Sequence, residues 1–250
     1  MAALHTYMKE GVLVAQFNRK NPLNPLDREL ETEIVDACRL AQDEPAVKAM
    51  VLTGGAHRSF CVGDDFYEAV ELNTQAAVEQ LVDRLVGLYT ALLSVTKPTV
   101  AGMDGYAIGG GVQIALCCDW RVGTPTTKAL GWELKYGLGC PLGAYMLGKS
   151  LGRAAMSDII FGCEPVSIGW ALRCKFFNEV ADGMEVVERA ISRAAALGRY
   201  PECTYRRTKE CVNRSFIAGL QELTSVAKKI HVEGFLKKAA EAHFARVLRR

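Results

Sequence analysis

An α/β fold with a largely parallel sheet and a helical C-terminal region is what this sequence predicts, on three observations. Short apolar, strand-like runs alternate with amphipathic segments of helical period through the first part of the chain, which is the pattern left by strand–helix–strand units. Beyond Arg153 the strand-like runs give way to predominantly helical periodicity. Half of the 250 residues are apolar, enough to fill a substantial core and to argue against disorder.

In chain order, residues 11–17 (GVLVAQF) have strand composition, and residues 18–25, with three asparagines and two prolines, close them as a loop. Leu30, Ile34, Cys38 and Ala41 recur at helical spacing over residues 27–42, with Asp27 as N-cap and Glu29 and Glu31 in the first turn. Residues 47–53 (VKAMVLT) form the next strand and residues 54–65 a loop. A long amphipathic helix over 75–94 leads to a short strand at 98–103 ending in Asp104-Gly105. Gly109, Gly110 and Gly111 open the apolar segment 112–118, too short for a free-standing helix and therefore a buried one. A strand-like WRVGT follows from Trp120, and a last helix over roughly 217–248 carries Leu220, Leu223, Ala227 and Ile230 on one face. The expected division is a core over 1–195, holding the site, and a helical region over 196–250.

Composition removes several function classes. A net charge of +2 without a basic stripe gives no reason to invoke nucleic acid, and Arg246, Arg249 and Arg250 read as a solvated helix end. The nine cysteines are odd in number, lack a C-x-x-C pair and sit mostly in apolar runs, as reduced thiols of a cytoplasmic protein do. Cys61 and Cys140 lie in glycine-containing loops without a neighbouring His, and read as core-lining thiols rather than nucleophiles. No apolar segment reaches membrane-spanning length, so a soluble protein is expected. His5 and His57 have no partner suggesting a site, and no metal-ligand cluster is visible.

Two motifs promise more than their context allows. Residues 143–150 (GAYMLGKS) match the phosphate-loop pattern, yet GLGCPL precedes them where an apolar strand should stand, and the variable positions are bulky and apolar. A helix ending at Gly148 is the better reading. Residues 148–152 (GKSLG) fit a hydrolase nucleophile elbow, but helix rather than strand precedes the Ser, and only His231 and His243 lie downstream.

Three segments read together are more specific: 59–66 (SFCVGDDF), 97–111 (KPTVAGMDGYAIGGG) and 132–139 (WELKYGLG). A triple glycine opening a buried helix leaves unpaired N–H groups at the positive end of its dipole, where an enolate oxygen fits. One such donor in a dry site contributes roughly 3–4 kcal/mol. In order and approximate spacing the segments resemble the F-x-A-G-x-D, K-P-x-x-A-x-x-x-G-x-x-x-G-G-G and P-E-x-x-x-G segments of the crotonase superfamily. The resemblance implies a crotonase-like fold, a ββα superhelix core with a C-terminal helical trimerisation region, and a CoA thioester as substrate with no separate cofactor. It implies that Asp64 and Gly110 supply the two oxyanion-hole N–H groups, with Val62, Gly63, Asp65 and Phe66 around the bound acyl-CoA. Asp64 departs from the pattern, which has a small apolar residue there. Only its N–H is required, and its carboxylate is expected to point away from the developing charge.

Crotonase hydratases use two carboxylates to activate water. Here Gln113 stands at the first position and Glu133 at the second. Gln can hydrogen-bond water but cannot exchange its proton, which argues against efficient hydration. Over most of its length the chain resembles the carboxymethylproline synthase family of carbapenem biosynthesis, through residues 104–109 with Gln113, through Glu133-Leu134-Lys135 with Cys140, and through the stretch around His231 and 242–248. That likeness implies decarboxylation of malonyl-CoA, addition of the enolate to pyrroline-5-carboxylate, and hydrolysis to 5-carboxymethylproline. Glu133 would activate the hydrolytic water, Gln113 would orient acyl group or water, and His231 would hold a substrate carboxylate. The assembly implied is a homotrimer or dimer of trimers. The alternatives are an enoyl-CoA isomerase or hydratase of the same fold and, in other classes, a phosphate-loop nucleotide-binding protein or a non-catalytic acyl-CoA binder.

Overall fold

In the computed structural model, which describes residues 2–236, the chain opens with a hairpin of Leu4–Lys9 (β1) and Val12–Phe17 (β2). Glu10 and Gly11, both at positive φ, make its two-residue turn. Helix α1 (Arg28–Asp43) follows, its N-cap Asp27 accepting from the Leu30 N–H as the sequence predicts. Next come β3 (Ala49–Thr53), a single-turn helix α2 (Phe66–Ala69), the long α3 (Gln75–Ser94) and β4 (Thr99–Gly102). A short strand β5 (Tyr106–Ile108) leads into α4 (Gly110–Leu116), and β6 (Trp120–Gly123) and β7 (Lys128–Leu130) follow it. After a 3₁₀ turn at Glu133–Tyr136 the chain becomes helical: α5 (Pro141–Leu151), α6 (Arg153–Ile160) and α7 (Ile168–Arg173), then the two-residue β8 (Glu179–Val180), α8 (Val186–Leu197) and α9 (Glu202–Leu236).

The main sheet has the order β1-β2-β3-β4-β6-β8, antiparallel at β1/β2 and parallel elsewhere. Its inner strands β2, β3, β4 and β6 are buried on both sides, so alternate residues serve different layers. Val12, Val14, Val51, Val100 and Val122 pack on Val186, Ala190 and Ala194 of α8. Leu13, Ala15, Met50, Leu52 and Ala101 face the main core, which α1, α3 and α4 fill with Leu30, Ile34, Val82, Leu85, Tyr89 and Ile114. A separate parallel pair, β5 with β7, carries the chain from the sheet into α4.

Three features depart from the sequence reading. Strands β1, β5 and β7 were not predicted, because β5 and β7 have three residues each and β1 carries exposed polar residues. Helix α5 continues through Gly148 to Leu151, so Lys149 and Ser150 sit exposed on a helix end and neither phosphate-loop nor nucleophile-elbow geometry forms. Helix α9 begins at Glu202, not near 217. Its first half is anchored by polar side chains, which an apolar pattern misses: buried Lys209 donates to Asp119 at 2.6 Å, and Asn213 donates to the Leu93 carbonyl at 2.8 Å. The rest of the predicted last helix, with His243, Arg246, Arg249, Arg250 and the 242–248 likeness, lies outside the described residues.

Candidate active site

Two backbone segments are laid side by side by short parallel bridges, Leu26 with Asp64 and Cys61 with Ala107. Leu26 N–H donates to the Gly63 carbonyl and Asp65 N–H to the Leu26 carbonyl, both at 2.8 Å, so the bonds flank Asp64 and leave its own N–H without a partner among the described residues. On the other segment Ile108 N–H donates to Cys61 at 2.9 Å and Gly109 N–H to Leu130 at 3.1 Å. Gly110 is the first residue of α4, and its N–H is likewise unpaired among the described residues. The two segments meet where the Cβ position of Gly110 lies 3.6 Å from the Gly63 Cα and 3.7 Å from Asp64 Oδ1. Two unpaired N–H groups, one at a helix start, form an electropositive corner.

The 3₁₀ turn brings Glu133 to the same corner. Its Oε1 accepts from the Cys140 thiol at 3.0 Å and from Gln113 Nε2 at 3.4 Å, while Oε2 is buried without a partner. Gly109, at φ 51°, leaves room for this carboxylate, since a Cβ there would stand 3.0 Å from Oε1. Buried Tyr89 OH and Trp132 Nε1 also lack partners. Of the five unpartnered buried side-chain polar atoms among the described residues, four belong to Asp64, Tyr89, Trp132 and Glu133. Buried polar groups are normally satisfied, so such a concentration marks a place built for a ligand.

Three cavities meet here. One of about 40 Å³ is lined by Asp64, Tyr89, Gly110, Gln113, Glu133 and His231. A second, of about 70 Å³, takes in Val62, Gly63, Phe66 and Trp132. An outer one of about 280 Å³ runs past Arg28, Glu31, Asp65, Glu68 and Arg84. Asp64 is the one residue that lines all three. A larger concavity, about 610 Å³ between α1 and α3, holds neither N–H donor nor Glu133. Of the residues singled out in the sequence, Asp64, Gly110, Gln113, Glu133 and His231 are thus brought together. Asp65 instead caps α2 by accepting from Tyr67 N–H at 2.8 Å. Tyr89 and Trp132 were missed; the signal for Tyr89 was a phenol within the apolar stripe of α3, a position where its hydroxyl needs a partner.

Electrostatics sorts these groups. Burial pushes the Cys61 thiol up to about 12 and raises Cys140 well above its ordinary value, with Glu133 beside Cys140 adding to the effect. Both stay protonated, which removes them as thiolate nucleophiles. His231 Nδ1 bonds the Ala227 carbonyl at 2.8 Å and must be the donor, and burial lowers the ring's pKa. The neutral ring therefore offers Nε2 as an acceptor, and binding a carboxylate there requires a second proton.

Asp64, whose carboxylate is expected to point away from the developing charge, is half-buried, with one of its carboxyl oxygens turned inward. Its Oδ1 is sealed and unpartnered beside Gly110, and burial, with Glu31 and Glu133 adding repulsion, raises its pKa to about 7. The charge that would oppose an oxyanion is largely absent below that pH. Unfolded, the group ionises near 3.8; between these values the native state holds a proton that the unfolded state has lost, so stability falls as pH rises through the window. The loss is up to about 4 kcal/mol. Asp64→Asn should therefore gain on the wild type in urea melts at pH 8 and lose that advantage at pH 4. A difference that stays constant with pH would mean the carboxyl titrates as in solvent.

Among the described residues no group of three His, Cys, Asp or Glu side chains could hold a metal ion, and no helix is long and apolar enough to cross a membrane.

Against known proteins, the family profile described as enoyl-CoA hydratase/isomerase matches residues 7–245. A carboxymethylproline synthase of Pectobacterium carotovorum is 37% identical over 96% of both chains. Among solved structures, ThnE from S. clavuligerus superposes with a TM-score of 0.80 at 28% identity, covering 91% of this chain and 100% of that one. An enoyl-CoA hydratase/isomerase from Xanthobacter autotrophicus Py2 superposes with a TM-score of 0.88 at 26% identity, over 99% of this chain and 93% of its own.

Proposed function

The chain belongs to the enoyl-CoA hydratase/isomerase family and has its crotonase fold, and on that premise we propose that it is a carboxymethylproline synthase acting on malonyl-CoA and pyrroline-5-carboxylate. The observation that carries this reading is the Gln113–Glu133 pair. At the two positions where hydratases of the fold hold carboxylates, one is an amide that donates to the other at 3.4 Å, so a water there has only one of the two proton-exchanging groups. The likeness to the Pectobacterium synthase along nearly the whole chain points the same way.

In this reading the thioester oxygen of malonyl-CoA accepts from the N–H groups of Asp64 and Gly110. The bond from Cα to the malonyl carboxylate breaks, CO₂ leaves, and its electron pair forms an enolate whose charge rests on that oxygen. The enolate carbon attacks the imine carbon of pyrroline-5-carboxylate, the C=N π pair moves onto the nitrogen, and the nitrogen takes a proton from water. Gln113 orients the acyl group or the water. Glu133, whose Oε2 has no partner among the described residues, activates the water that cleaves the thioester. His231 holds a substrate carboxylate as imidazolium, taking up a proton as it binds. The proposed assembly is a homotrimer or dimer of trimers.

Mass spectrometry of the purified protein with malonyl-CoA, with and without pyrroline-5-carboxylate, tests the reading. Imine-dependent 5-carboxymethylproline with release of CoA is the expected result. Malonyl-CoA left intact, with crotonyl-CoA or a 3-enoyl-CoA turned over instead, would make the protein a hydratase or isomerase.

A further inference from the structure

Asp64 is the residue at which this site departs from its family's pattern, and three observations bear on what its side chain does. Oδ1 is buried without a partner among the described residues. It lies 3.7 Å from the Cβ position of Gly110, the residue whose N–H forms half of the electropositive corner. Asp64 is also common to the linings of the inner, second and outer cavities. An oxygen received between the Asp64 and Gly110 N–H groups would therefore have the Asp64 carboxyl as a neighbour. If ionised, that carboxyl would oppose the enolate; as a neutral acid it is a donor.

We propose that Asp64 serves the reaction twice, its backbone N–H and its neutral carboxylic acid both donating to the enolate oxygen, so that the oxyanion hole has three donors instead of two. The inference rests on the enolate-forming reading of the site. No proton is transferred: the acid keeps its O–H while CO₂ leaves, and the third hydrogen bond strengthens as charge builds on the oxygen.

The groups around Asp64 favour the neutral form. Glu31 of α1, Glu68 of α2 and Glu133 oppose its ionisation, and Arg84 of α3 favours it. That guanidinium is held by Glu31 at 2.8 Å. Cys61, Cys140 and Tyr89 remain protonated through burial, and His231 of α9 across the inner cavity is held toward neutrality by the same cause. The outer cavity gives the acid a route to exchange its proton with solvent.

The test compares the wild type with Asp64→Ala and Asp64→Asn. The wild-type kcat should fall as pH rises through about 7. Asp64→Ala, which keeps the N–H and removes the acid, should lose about 100-fold at pH 6 and lose that falling limb. Asp64→Asn, whose amide donates but cannot ionise, should exceed Asp64→Ala and also lack the limb. A second readout needs no turnover: the infrared carbonyl band of bound acetyl-CoA carrying ¹³C at the thioester. It should lie lower in the wild type at pH 6 than at pH 8, and lower than in Asp64→Ala at either pH when the wild type is at pH 6. A wild-type band that matches Asp64→Ala and ignores pH would overturn the proposal even if 5-carboxymethylproline is formed. A band that shifts as stated, in a protein that leaves malonyl-CoA intact, would sustain the third donor and remove the synthase reading.

Discussion

In the proposed synthase reaction, replacing Glu133 by Gln is expected to lower release of 5-carboxymethylproline by about 10²- to 10⁴-fold, the range that a positioned acid–base group contributes. The substitution is nearly isosteric and keeps polar atoms near Cys140 and Gln113, which now bond Oε1 at 3.0 and 3.4 Å. The fold should survive it. What is lost is a group able to take a proton from water, and the unpartnered Oε2 is the atom free for that task. Because none of the proposed oxyanion donors is replaced, decarboxylation and carbon–carbon bond formation should be less affected than hydrolysis. The variant should accumulate the CoA thioester of carboxymethylproline, visible by mass spectrometry as an adduct that wild type does not build up. Free CoA released at the wild-type rate would show that Glu133 does not act on the hydrolytic water.

Gly111→Ala should cost about 3 kcal/mol or more of stability, at the upper end of what overpacking does. A Cβ there would fall 2.1 Å from the Cys61 carbonyl oxygen and 2.9 Å from its carbon, and that same carbonyl accepts the Ile108 N–H. Relief would require pulling apart the two segments that hold Asp64 and Gly110. Gly110→Ala is the internal control: its Cβ meets no atom closer than 3.6 Å, so its stability should stay close to wild type. Urea melts of the two single variants decide the matter, and equal stabilities would contradict the packing argument. Two of the three glycines are therefore required as glycine, for a positive φ and room for Glu133 at 109 and for backbone contact at 111, whereas at 110 the site uses an N–H that alanine would also supply.

Much of this was readable from residues alone, and the reasons differ by element. Helix α3 was predicted over 75–94 and occupies Gln75–Ser94, because its buried stripe is apolar and regular and Thr74 caps it. The N-cap at Asp27 and the buried helix after the glycines were legible for similarly local reasons. The first half of α9 was not, because its anchors are Lys209 and Asn213, and a buried polar contact has no signature until its partner 90 or 120 residues away is known. The site divides the same way. Gly110, Gln113, Glu133 and His231 follow from motif and resemblance and do line one cavity, whereas Tyr89 comes from a segment with no motif. The orientation of Asp64 is carried by no motif, since an oxyanion is spared a neighbouring charge either by turning the carboxylate away or by burying the group until it is neutral.

The placement of His231 and Phe235 on α9, across the inner cavity from Gly110, has a consequence for how the protein comes into being. On the ribosome, the glycine turn emerges well ahead of the residues that close over it, a lag on the order of ten seconds at ordinary elongation rates. Throughout that interval the oxyanion donors and the carboxyl groups of Asp64 and Glu133 are open to water. Nascent chains should thus acquire thioester chemistry only after α9 docks on α3 and α5, and any chaperone contact made earlier would meet an unroofed, charged cleft.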